Sequence, residues 1–504
     1  MPDRPPVATF LLPAITLLAA AVAGAAPPDR GPDMPDAVVK TFRDRNGPVF
    51  ADWPDPRAVL VVTGELDGYI EPCGCTGKEN QKGGLSRRQN FLRALERSGW
   101  PAVPLDIGGQ VKRFGRQTEA KFQSIVDGLR GMRYDAVGFG PGDLRLPAEE
   151  LVAAVAPIGD RPTPYVSANV GLLGLDANIT PRFRVVESGG LKIGITTVLG
   201  AKAAADLKNA DVEVMPAEKA LGPVAAELAK ARCDHQVLLC FAEPDEARAL
   251  AAKFPQFDVV ATAGGAEEPP LEAKKLPGGA VLLEPGHKGM FAVVVGFFGD
   301  GKQVRTQRLP LDARWGESAD MITLLGTYQG KLESLGFKGL GLVPIRHPAG
   351  RLFAGSAACA ECHEKAFEVW KESGHAKALT TLAEAKPRRD FDPECLSCHV
   401  TGWAPQRFEP FEGGYVGIKE TPHLAHQGCE NCHGPAAAHT AVERGDVRAT
   451  EVERDRLRQE LVLSLATPEG KQKAVNNCLE CHDLDNSPKF DFDEYWPSVE
   501  HSEK

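Results

Sequence analysis

Short apolar runs alternate with amphipathic stretches along the first two thirds of the chain. A run such as Arg57–Thr63 (RAVLVVT) is apolar at nearly every position, which is typical of a strand buried on both faces. The stretches between such runs have the period of helices that cover a core on one face. Strands that alternate with helices indicate a layered α/β domain. The predicted strands are Arg57–Thr63, Val103–Asp106, Asp135–Phe139, Leu191–Leu199 and Val237–Phe241, and the predicted helices include Glu119–Met132 and Ala217–Arg232.

A hairpin closes this α/β pattern. The runs Phe291–Phe298 and Gln303–Leu309 flank a Gly-Asp-Gly turn, and an Asp-Gly pair between two strand-like runs is a strong hairpin signal. The hairpin predicts an antiparallel edge to the sheet. After it, the pattern predicts a helix over Ala319–Leu335 with Ser318 as its N-cap, and then a linker from Gly339 to Gly350.

These patterns divide the chain into four segments after its first 26 residues. The length of 504 residues is that of about three domains. Residues 27–55 are rich in Pro, Asp and Arg and predict a loosely ordered lead-in. We expect the α/β domain over residues 56–312, the helix and linker over 313–350, and a C-terminal domain over 351–504.

The first 26 residues have the pattern of an export signal. Arg4 precedes an apolar run over Val7–Gly24, and Ala23-Gly24-Ala25 fits a small-residue cleavage site. An uncleaved membrane anchor is the alternative, because the run is about long enough to span a bilayer, although Pro13 interrupts it. We expect a cleaved signal peptide and a periplasmic or otherwise exported protein, with membrane contact only through this segment if it stays uncleaved.

Charge and hydropathy exclude two further classes of protein. The formal net charge is −10 at pH 7, whereas proteins that bind nucleic acid present a basic face. No second apolar run reaches the roughly 18 residues that a transmembrane helix needs, so we expect the mature protein to be soluble.

The last third of the chain contains four copies of Cys-x-x-Cys-His. In this motif the two cysteines form thioether bonds to a haem, and the histidine becomes the proximal ligand of its iron. We therefore predict four covalent haem c groups. The attachment cysteines are Cys359, Cys362, Cys395, Cys398, Cys429, Cys432, Cys478 and Cys481, and the proximal histidines are His363, His399, His433 and His482.

Zinc is the other cofactor that paired cysteines hold, because two Cys-x-x-Cys pairs can complete a tetrahedral thiolate site. A zinc ribbon, however, needs no histidine directly after each second cysteine. The chain has only 12 histidines among 504 residues, so the pattern favours haem. With four haem sites in residues 351–504, we expect a mainly helical, loop-rich domain in which short helices pack on the haems.

Each iron either takes a sixth ligand or keeps that position open. Ligation by two histidines suits electron transfer, whereas an open position suits ligand binding or catalysis. We expect His375, in a predicted helix Lys365–Leu382, to be a distal ligand. His439 follows His433 too closely to reach the other face of the same haem, so it should serve a neighbouring one.

Four more histidines of this region are open to the same question. His423 and His426 are predicted to lie one helical turn apart, so both cannot readily bind one iron, and we select His423. His501, close to the end of the chain, is the last candidate. His347 lies in the linker and is not expected to be a ligand.

Four segments around the motifs resemble the tetrahaem family of cytochrome c five-fifty-four, the electron acceptor of hydroxylamine oxidoreductase. They are GSAACAECHEKAFEVWKESGHAKALTTL, ECLSCHVTGW, GCENCHGPAAAH and CLECHDLDNSPKFDFDEYW, and the resemblance covers about residues 351–504. It implies haems stacked in close pairs, mostly bis-histidine irons, and one iron that can be five-coordinate. It places His375 and His439 at distal positions, with a looser match for His423 and His501. Electron transfer with redox partner proteins is implied, and hydroxylamine chemistry is not.

The α/β domain resembles the calcineurin-like metallophosphoesterase fold of periplasmic 5′-nucleotidases. The segments TGELDG (63–68), LDIGG (105–109), YDAVGFGPGDL (134–144) and ATAGG (261–265) follow one another in the order of that family's metal motifs, and GGLSRR (83–88) and VSANV (166–170) fit as well. The resemblance implies an α/β layered sandwich. Generic α/β alternation is the alternative explanation of the same order.

The metal ligands that this resemblance implies have been replaced. Such enzymes hold two metal ions that activate water and polarise phosphate. Glu65 and Asp67 stand in place of the first Asp and His, Gly109 in place of the bridging Asp, Pro141 and Gly142 in place of an Asn-His pair, and Ala266 and Glu267 where later histidines would lie. No histidine occurs between Met1 and Asp234. We therefore expect no dinuclear metal centre and no phosphohydrolase activity.

Four cysteines lie outside the haem motifs: Cys73, Cys75, Cys233 and Cys240. In an oxidising compartment they could form disulfides, in three possible connectivities. Cys73 and Cys75 follow the first strand closely, near Glu65 and Asp67, and together these four residues are a possible ligand edge. A thiol redox or metal site there is the alternative to a structural disulfide.

Three functions remain open from the sequence. The first is an exported tetrahaem electron carrier whose α/β domain docks a partner or ligand. The second is a multihaem oxidoreductase that acts on a small nitrogen or sulfur compound at a five-coordinate haem. The third, a haem-tethered nucleotide hydrolase, is disfavoured by the missing histidines.

Overall fold

The computed structural model describes residues 28–72, 81–174, 179–487 and 489–501. The predicted signal segment 1–26 and the cysteines Cys73 and Cys75 lie outside these residues. Among the helices of the described ranges, none is both long enough and apolar enough to cross a membrane.

Fifteen strands occur in the described ranges, and most belong to the first two thirds of the chain. Their bounds are β1 Ala58–Thr63, β2 Ala102–Asp106, β3 Ala136–Val137, β4 Val170–Leu172, β5 Arg184–Ser188, β6 Leu191–Leu199, β7 Val212–Val214, β8 His235–Phe241, β9 Val259–Thr262, β10 Lys274–Lys275, β11 Val281–Leu283, β12 Phe291–Phe298, β13 Gln303–Pro310, β14 Trp403–Ala404 and β15 Glu409–Pro410.

The α-helices are long in the α/β region and short afterwards. Their bounds are α1 Asp36–Asn46, α2 Leu85–Arg97, α3 Arg116–Gly131, α4 Ala148–Val155, α5 Ala201–Ala205, α6 Ala217–Ala231, α7 Pro244–Lys253, α8 Ala319–Gly339, α9 Glu364–Glu372, α10 Ala378–Glu384, α11 Pro393–His399, α12 Cys429–His433, α13 Ala437–Glu443, α14 Glu451–Glu460, α15 Pro468–Leu479 and α16 Phe492–Tyr495.

Two mixed sheets pack face to face in the α/β region. The first has the strand order β13-β12-β1-β2-β3, and the second has the order β10-β11-β9-β8-β6-β5. Side chains such as Leu60, Val62, Ile195 and Leu239 fill the space between the sheets. Helices α2, α3 and α8 cover the outer side of the first sheet, and α6 and α7 cover that of the second. The predicted α/β layered sandwich is therefore confirmed, with four layers.

Burial on both faces explains why the strand predictions succeeded. All six residues of β1 are buried, and β6 and β12 have the predicted bounds. The hairpin pairs β12 with β13 from Phe291–Pro310 to Phe298–Gln303, and β13 is an edge strand as predicted. The run Asp135–Phe139 forms only the two-residue strand β3.

Three local predictions were wrong. The lead-in is ordered over its described part, since it contains α1 and the wholly buried Phe50. Ser318 occupies the N-cap position of α8 but makes no capping hydrogen bond, because its hydroxyl bonds to Gln89 of α2. The predicted helix Lys365–Leu382 is broken, since α9 ends at Glu372 and Ser373 is extended.

The C-terminal region is helical and rich in loops, as predicted. A small apolar cluster that includes Leu396, Trp403 and Tyr415 gives it a centre, and Phe337 and Leu342 pack against that cluster. The predicted linker is thus held against the C-terminal region. Ile345 also forms a bridge with Phe411 of that region.

Candidate functional site

Each Cys-x-x-Cys-His motif forms one helical turn. His363 is the N-cap of α9, the second motif ends α11, the third forms α12, and the fourth closes α15. In the first and fourth motifs the backbone N–H of the histidine donates to the carbonyl of the first cysteine, at 2.9 Å for His363 and 2.8 Å for His482. A turn of this kind places residues three and four apart on the same face. Both cysteines and the histidine can therefore address one cofactor.

Backbone and hydroxyl oxygens orient several proximal histidines. Nδ1 of His399 lies 2.7 Å from the carbonyl oxygen of Ala378, and Nδ1 of His433 lies 2.8 Å from that of Leu461. Nδ1 of His482 lies 3.1 Å from Oγ of Ser487. A carbonyl can only accept, so Nδ1 carries the proton in His399 and His433 and leaves Nε2 free to bind iron.

Three pairs of imidazole rings lie close to each other. The ring centres are 6.5 Å apart for His363 and His439, 6.1 Å for His375 and His482, and 5.8 Å for His433 and His501. A metal–imidazole bond is about 2 Å long, and the ring centre lies about 1 Å beyond the nitrogen, so two imidazoles on one iron hold their centres about 6 Å apart. All three pairs fit a bis-histidine haem iron.

The fourth proximal histidine, His399, has no such partner among the described ring contacts. The distal candidate His423 is exposed in the turn Pro422–Leu424 and belongs to none of the three pairs. The helical spacing predicted for His423 and His426 was wrong, because the turn ends at Leu424 and His426 has a left-handed backbone with φ 71°. Nδ1 of His426 accepts the N–H of Leu379 at 3.2 Å.

Contacts between neighbouring side chains link the four motifs in the order first, third, fourth, second. The side chains of Cys359 and Cys429 lie next to each other, which places the first motif beside the third. The side chains of Cys398 and Cys481 are neighbours as well, which places the second motif beside the fourth. Nδ2 of Asn477, directly before the fourth motif, donates to the carbonyl of Cys432 in the third motif at 3.2 Å.

Cys233, just before β8, and Cys240, within β8, do not form a disulfide with each other. Cys233 and Cys240 are both free, and burial raises the pKa of each thiol. Most of β8 lies between them and rises about 3.3 Å per residue. Their Cα atoms are therefore much farther apart than the roughly 4–7 Å that a disulfide allows. This excludes the connectivity that joins Cys233 to Cys240.

The ligand edge of the first sheet contains a histidine that the sequence reasoning missed. Nδ1 of His287 lies 3.1 Å from a carboxylate oxygen of Glu65, and the other oxygen of Glu65 accepts the N–H of Gly264 at 3.2 Å. This pairing raises the pKa of His287 to about 9. Burial raises the pKa of Asp67, on the same turn as Glu65, to about 6. We use the term ligand edge below for Glu65, Asp67 and His287.

Two positions at this edge have no room for a metal-binding side chain. A Cβ atom on Gly109, which also has φ 78°, would lie 2.8 Å from a ring carbon of Phe241. A Cβ atom on Gly142 would lie 2.0 Å from the carbonyl oxygen of Val111. Neighbouring Pro141 offers no polar side chain, and Glu267 is engaged by Lys288 at 2.8 Å. A ring of Phe241 and the carbonyl of Val111 thus occupy the space that longer side chains at positions 109 and 142 would need.

Two buried carboxylates beneath the ligand edge, Asp106 and Asp143, bond to groups of the α/β region. Asp106 is fully buried, pairs with Arg88 at 3.1 Å, and accepts the hydroxyl of Thr63 at 2.6 Å. Asp143 is fully buried too and accepts three backbone N–H groups, at 2.8–3.0 Å. Burial raises the pKa of Asp143 to about 7 despite these bonds.

Comparison with known sequences gives matches in the C-terminal region. The family model described as "Cytochrome c554 and c-prime" matches residues 358–434. Cytochrome c-554 of Nitrosomonas europaea is 35% identical over 96 residues, which are 16% of this chain and 38% of that protein. The chain thus spans well under half the length of this relative.

Two of the solved structures similar in fold to the α/β region are hydrolases by name. The 5′-nucleotidase precursor of Thermus thermophilus has 18% identity and a TM-score of 0.47, over 59% of this chain and 61% of its own. The sulfate thiohydrolase of the same organism has 14% identity and a TM-score of 0.48, over 58% of this chain and 63% of its own. The sequence matches show that the C-terminal region is similar to cytochrome c554.

Proposed function

We propose that the protein is an exported tetrahaem c-type cytochrome that carries electrons between redox partner proteins. The observation that carries this proposal is the set of three imidazole pairs with ring centres 5.8–6.5 Å apart, each of which contains one motif histidine. Two histidines saturate an iron and suit it to electron transfer without bond chemistry. Haem c, when bound, supplies an iron that accepts and releases one electron.

The proposed ligand scheme follows from the pairs. His363 and His439 would hold the first iron, His433 and His501 the third, and His482 and His375 the fourth. His399 would hold the second iron. His423, the remaining predicted distal ligand, is not part of this scheme because it is exposed.

The contacts between motifs support one order of electron transfer. The first motif touches the third through Cys359, the third touches the fourth through Asn477, and the fourth touches the second through Cys481. We propose that electrons travel along the haems in the order first, third, fourth, second, in either direction.

The α/β region has a docking role in this proposal and no hydrolytic one. The closed positions Gly109 and Gly142 support the absence of a dinuclear metal centre. Incubation of the purified protein with AMP and a phosphodiester, with added Mn²⁺ or Zn²⁺, should release no phosphate or alcohol. Measurable hydrolysis that the metals stimulate would contradict this part.

A second candidate function rests on His399. With no imidazole found opposite it among the described ring contacts, its iron could bind and reduce or oxidise a small nitrogen or sulfur compound. Such a protein would show a high-spin signal that changes when nitrite, nitric oxide or hydroxylamine is added.

Two measurements on the purified protein test the main proposal. A pyridine haemochrome assay should give four haems per chain, and low-temperature electron paramagnetic resonance (EPR) of the oxidised protein should give three low-spin irons and one high-spin iron. Export is tested separately, by fractionation of cells that produce the full chain. Absence of covalent haem would overturn the proposal.

A further inference from the structure

The helix that carries the second motif is anchored in the α/β region by a buried carboxylate. Asp392 is the N-cap of α11, and its side chain accepts the N–H of Glu394 at 3.0 Å. It also accepts Nε2 of Gln117 in α3 and Nε2 of Gln329 in α8, each at 2.8 Å. Asp392 is only 3% exposed. One side chain therefore joins three helices that are far apart in the sequence.

The next acidic residue strengthens this anchor. Glu394 pairs with Lys121 of α3, which is itself buried, and lies 3.6 Å from Arg113. The guanidinium of Arg113 also stacks 3.6 Å above the ring of Phe408. Separating the partners of a buried ion pair leaves an uncompensated charge. The pair therefore holds α11 in place against α3.

The fourth motif is held by two residues that lie next to the ligand edge, Tyr69 and Lys288. Asp485 lies three residues after His482 and accepts the hydroxyl of Tyr69 at 2.7 Å. It also pairs with Lys288, the neighbour of His287. Tyr69 belongs to the turn that carries Glu65 and Asp67. Nearby, Arg389 pairs with Glu71 at 2.5 Å.

These two anchors act on the same pair of haem sites, because the second and fourth motifs touch through Cys398 and Cys481. We infer that Tyr69, Lys288 and the helices α3 and α8 form a positioning frame that fixes the second and fourth haem sites relative to each other. The partner that the α/β region docks is then this chain's own C-terminal region. The inference rests on the proposed ligand scheme and adds positioning residues to it, chiefly Gln117, Gln329 and Tyr69.

The first experiment removes both amide donors from Asp392 in the full-length holoprotein. The variant Gln117→Ala/Gln329→Ala keeps Asp392 as the helix cap, so α11 can still form. We expect four haems per chain, an altered high-spin EPR signal, and a changed rate of carbon monoxide binding to the reduced protein, because α11 carries His399 and loses two of its contacts with α3 and α8. The matched control is Gln123→Ala/Gln303→Ala, two surface glutamines of the α/β region.

A second variant tests the other anchor. Tyr69→Phe deletes one hydroxyl and should shift the low-spin EPR signal assigned to His482 and His375, while the signals of the other two bis-histidine irons stay in place. If the double variant does not yield four haems, the single variant Gln329→Ala decides with the same measurements. The inference would be overturned if the variants of both anchors had the same spectra and binding rates as the wild type. A wild-type protein without covalent haem would instead contradict the proposed function.

Discussion

Individual histidines determine the coordination of each iron, so the proposed scheme can be tested one residue at a time. His439 has its ring centre 6.5 Å from that of His363, and its Nδ1 lies 4.0 Å from Glu443. The variant His439→Ala should convert the first iron from low-spin to high-spin, because one axial position opens. EPR of the oxidised protein should then show a second high-spin iron.

His423→Ala is the control for this variant. His423 lies in the same region but is exposed and unpaired with any motif histidine in the described ring contacts. Its spectrum should match that of the wild type. A high-spin increase in His423→Ala, with none in His439→Ala, would exchange the roles of the two residues.

The ion pair of Glu65 and His287 makes the stability of the α/β region depend on pH. Pairing raises the pKa of His287 to about 9 in the folded protein, above the value of about 6.5 expected in the unfolded chain. The stabilisation is therefore complete below about pH 6.5 and is lost as the pH rises through about 9. The thermal midpoint of the wild type should fall over this range more than that of Glu65→Gln. This would be contradicted if calorimetry found the same fall in the thermal midpoint of both proteins between pH 6 and pH 9.5.

At this scale the sequence predicts local chemistry and misses distant pairs. The Cys-x-x-Cys-His motifs are contiguous, so their geometry follows from a single helical turn. Glu65 and His287 meet only because β1 and the segment before β12 lie side by side in the sheet. The position of His287 between two apolar runs was the available signal, and strand order is what the sequence did not reveal.

Among the elements, the segment before β1 has the clearest energetic role. Phe50 is fully buried, with its ring centre 4.8 Å from that of Trp53 and 4.9 Å from that of Trp100. Phe50→Ala should lower the free energy of unfolding of the α/β region by about 3–5 kcal/mol, as for other large-to-small core substitutions. Urea denaturation followed by circular dichroism would measure this.

Phe114→Ala provides the comparison, because Phe114 is 83% exposed. The urea midpoint of Phe114→Ala should equal that of the wild type. If the urea midpoints of Phe50→Ala and Phe114→Ala were equal, the segment 28–55 would contribute little to the stability of the fold.

Elements were predictable where one pattern dominated. The strands β1, β6 and β12 are apolar along their whole length because helices or a second sheet cover both faces. The segment before β1 failed because its Pro, Asp and Arg content concealed a few large apolar residues that reach the core. The break between α9 and α10 coincides with Ser373 and Gly374, two weak helix formers inside the predicted helix.

At the scale of the whole molecule, Asp485 links the stability of the two regions to pH. Burial alone would raise the pKa of Asp485, but Lys288 and Tyr69 hold it below its ordinary value. The contact is therefore present above roughly pH 4, the ordinary Asp value, and is lost as the pH falls through the lower folded value. Asp485→Asn should lower the unfolding temperature at pH 7, and this effect should shrink as the pH falls below roughly 4 and the wild-type carboxyl becomes protonated. Calorimetry that finds equal effects at pH 7 and below roughly pH 4 would contradict this.

The arrangement of the two regions could not be predicted from the sequence. Gln117 and Lys121 lie on the exposed side of an amphipathic pattern, which normally indicates a solvated helix face. Asp392 has the sequence context of an ordinary N-cap before Pro393. Only the tertiary structure brings these polar groups together, because the partners of Asp392 come from α3 and α8.

The buried position of Asp392 also sets an order of assembly. Its partners Gln117 and Gln329 belong to α3 and α8, so α11 reaches its final position only when both helices are in place. The same helix carries Cys395, which packs against the apolar cluster beneath it. That thiol is partly covered in the docked helix and is more accessible while α11 is still free. Haem attachment at the second motif should therefore precede docking, and the anchored helix would mark a chain whose maturation at this site is finished.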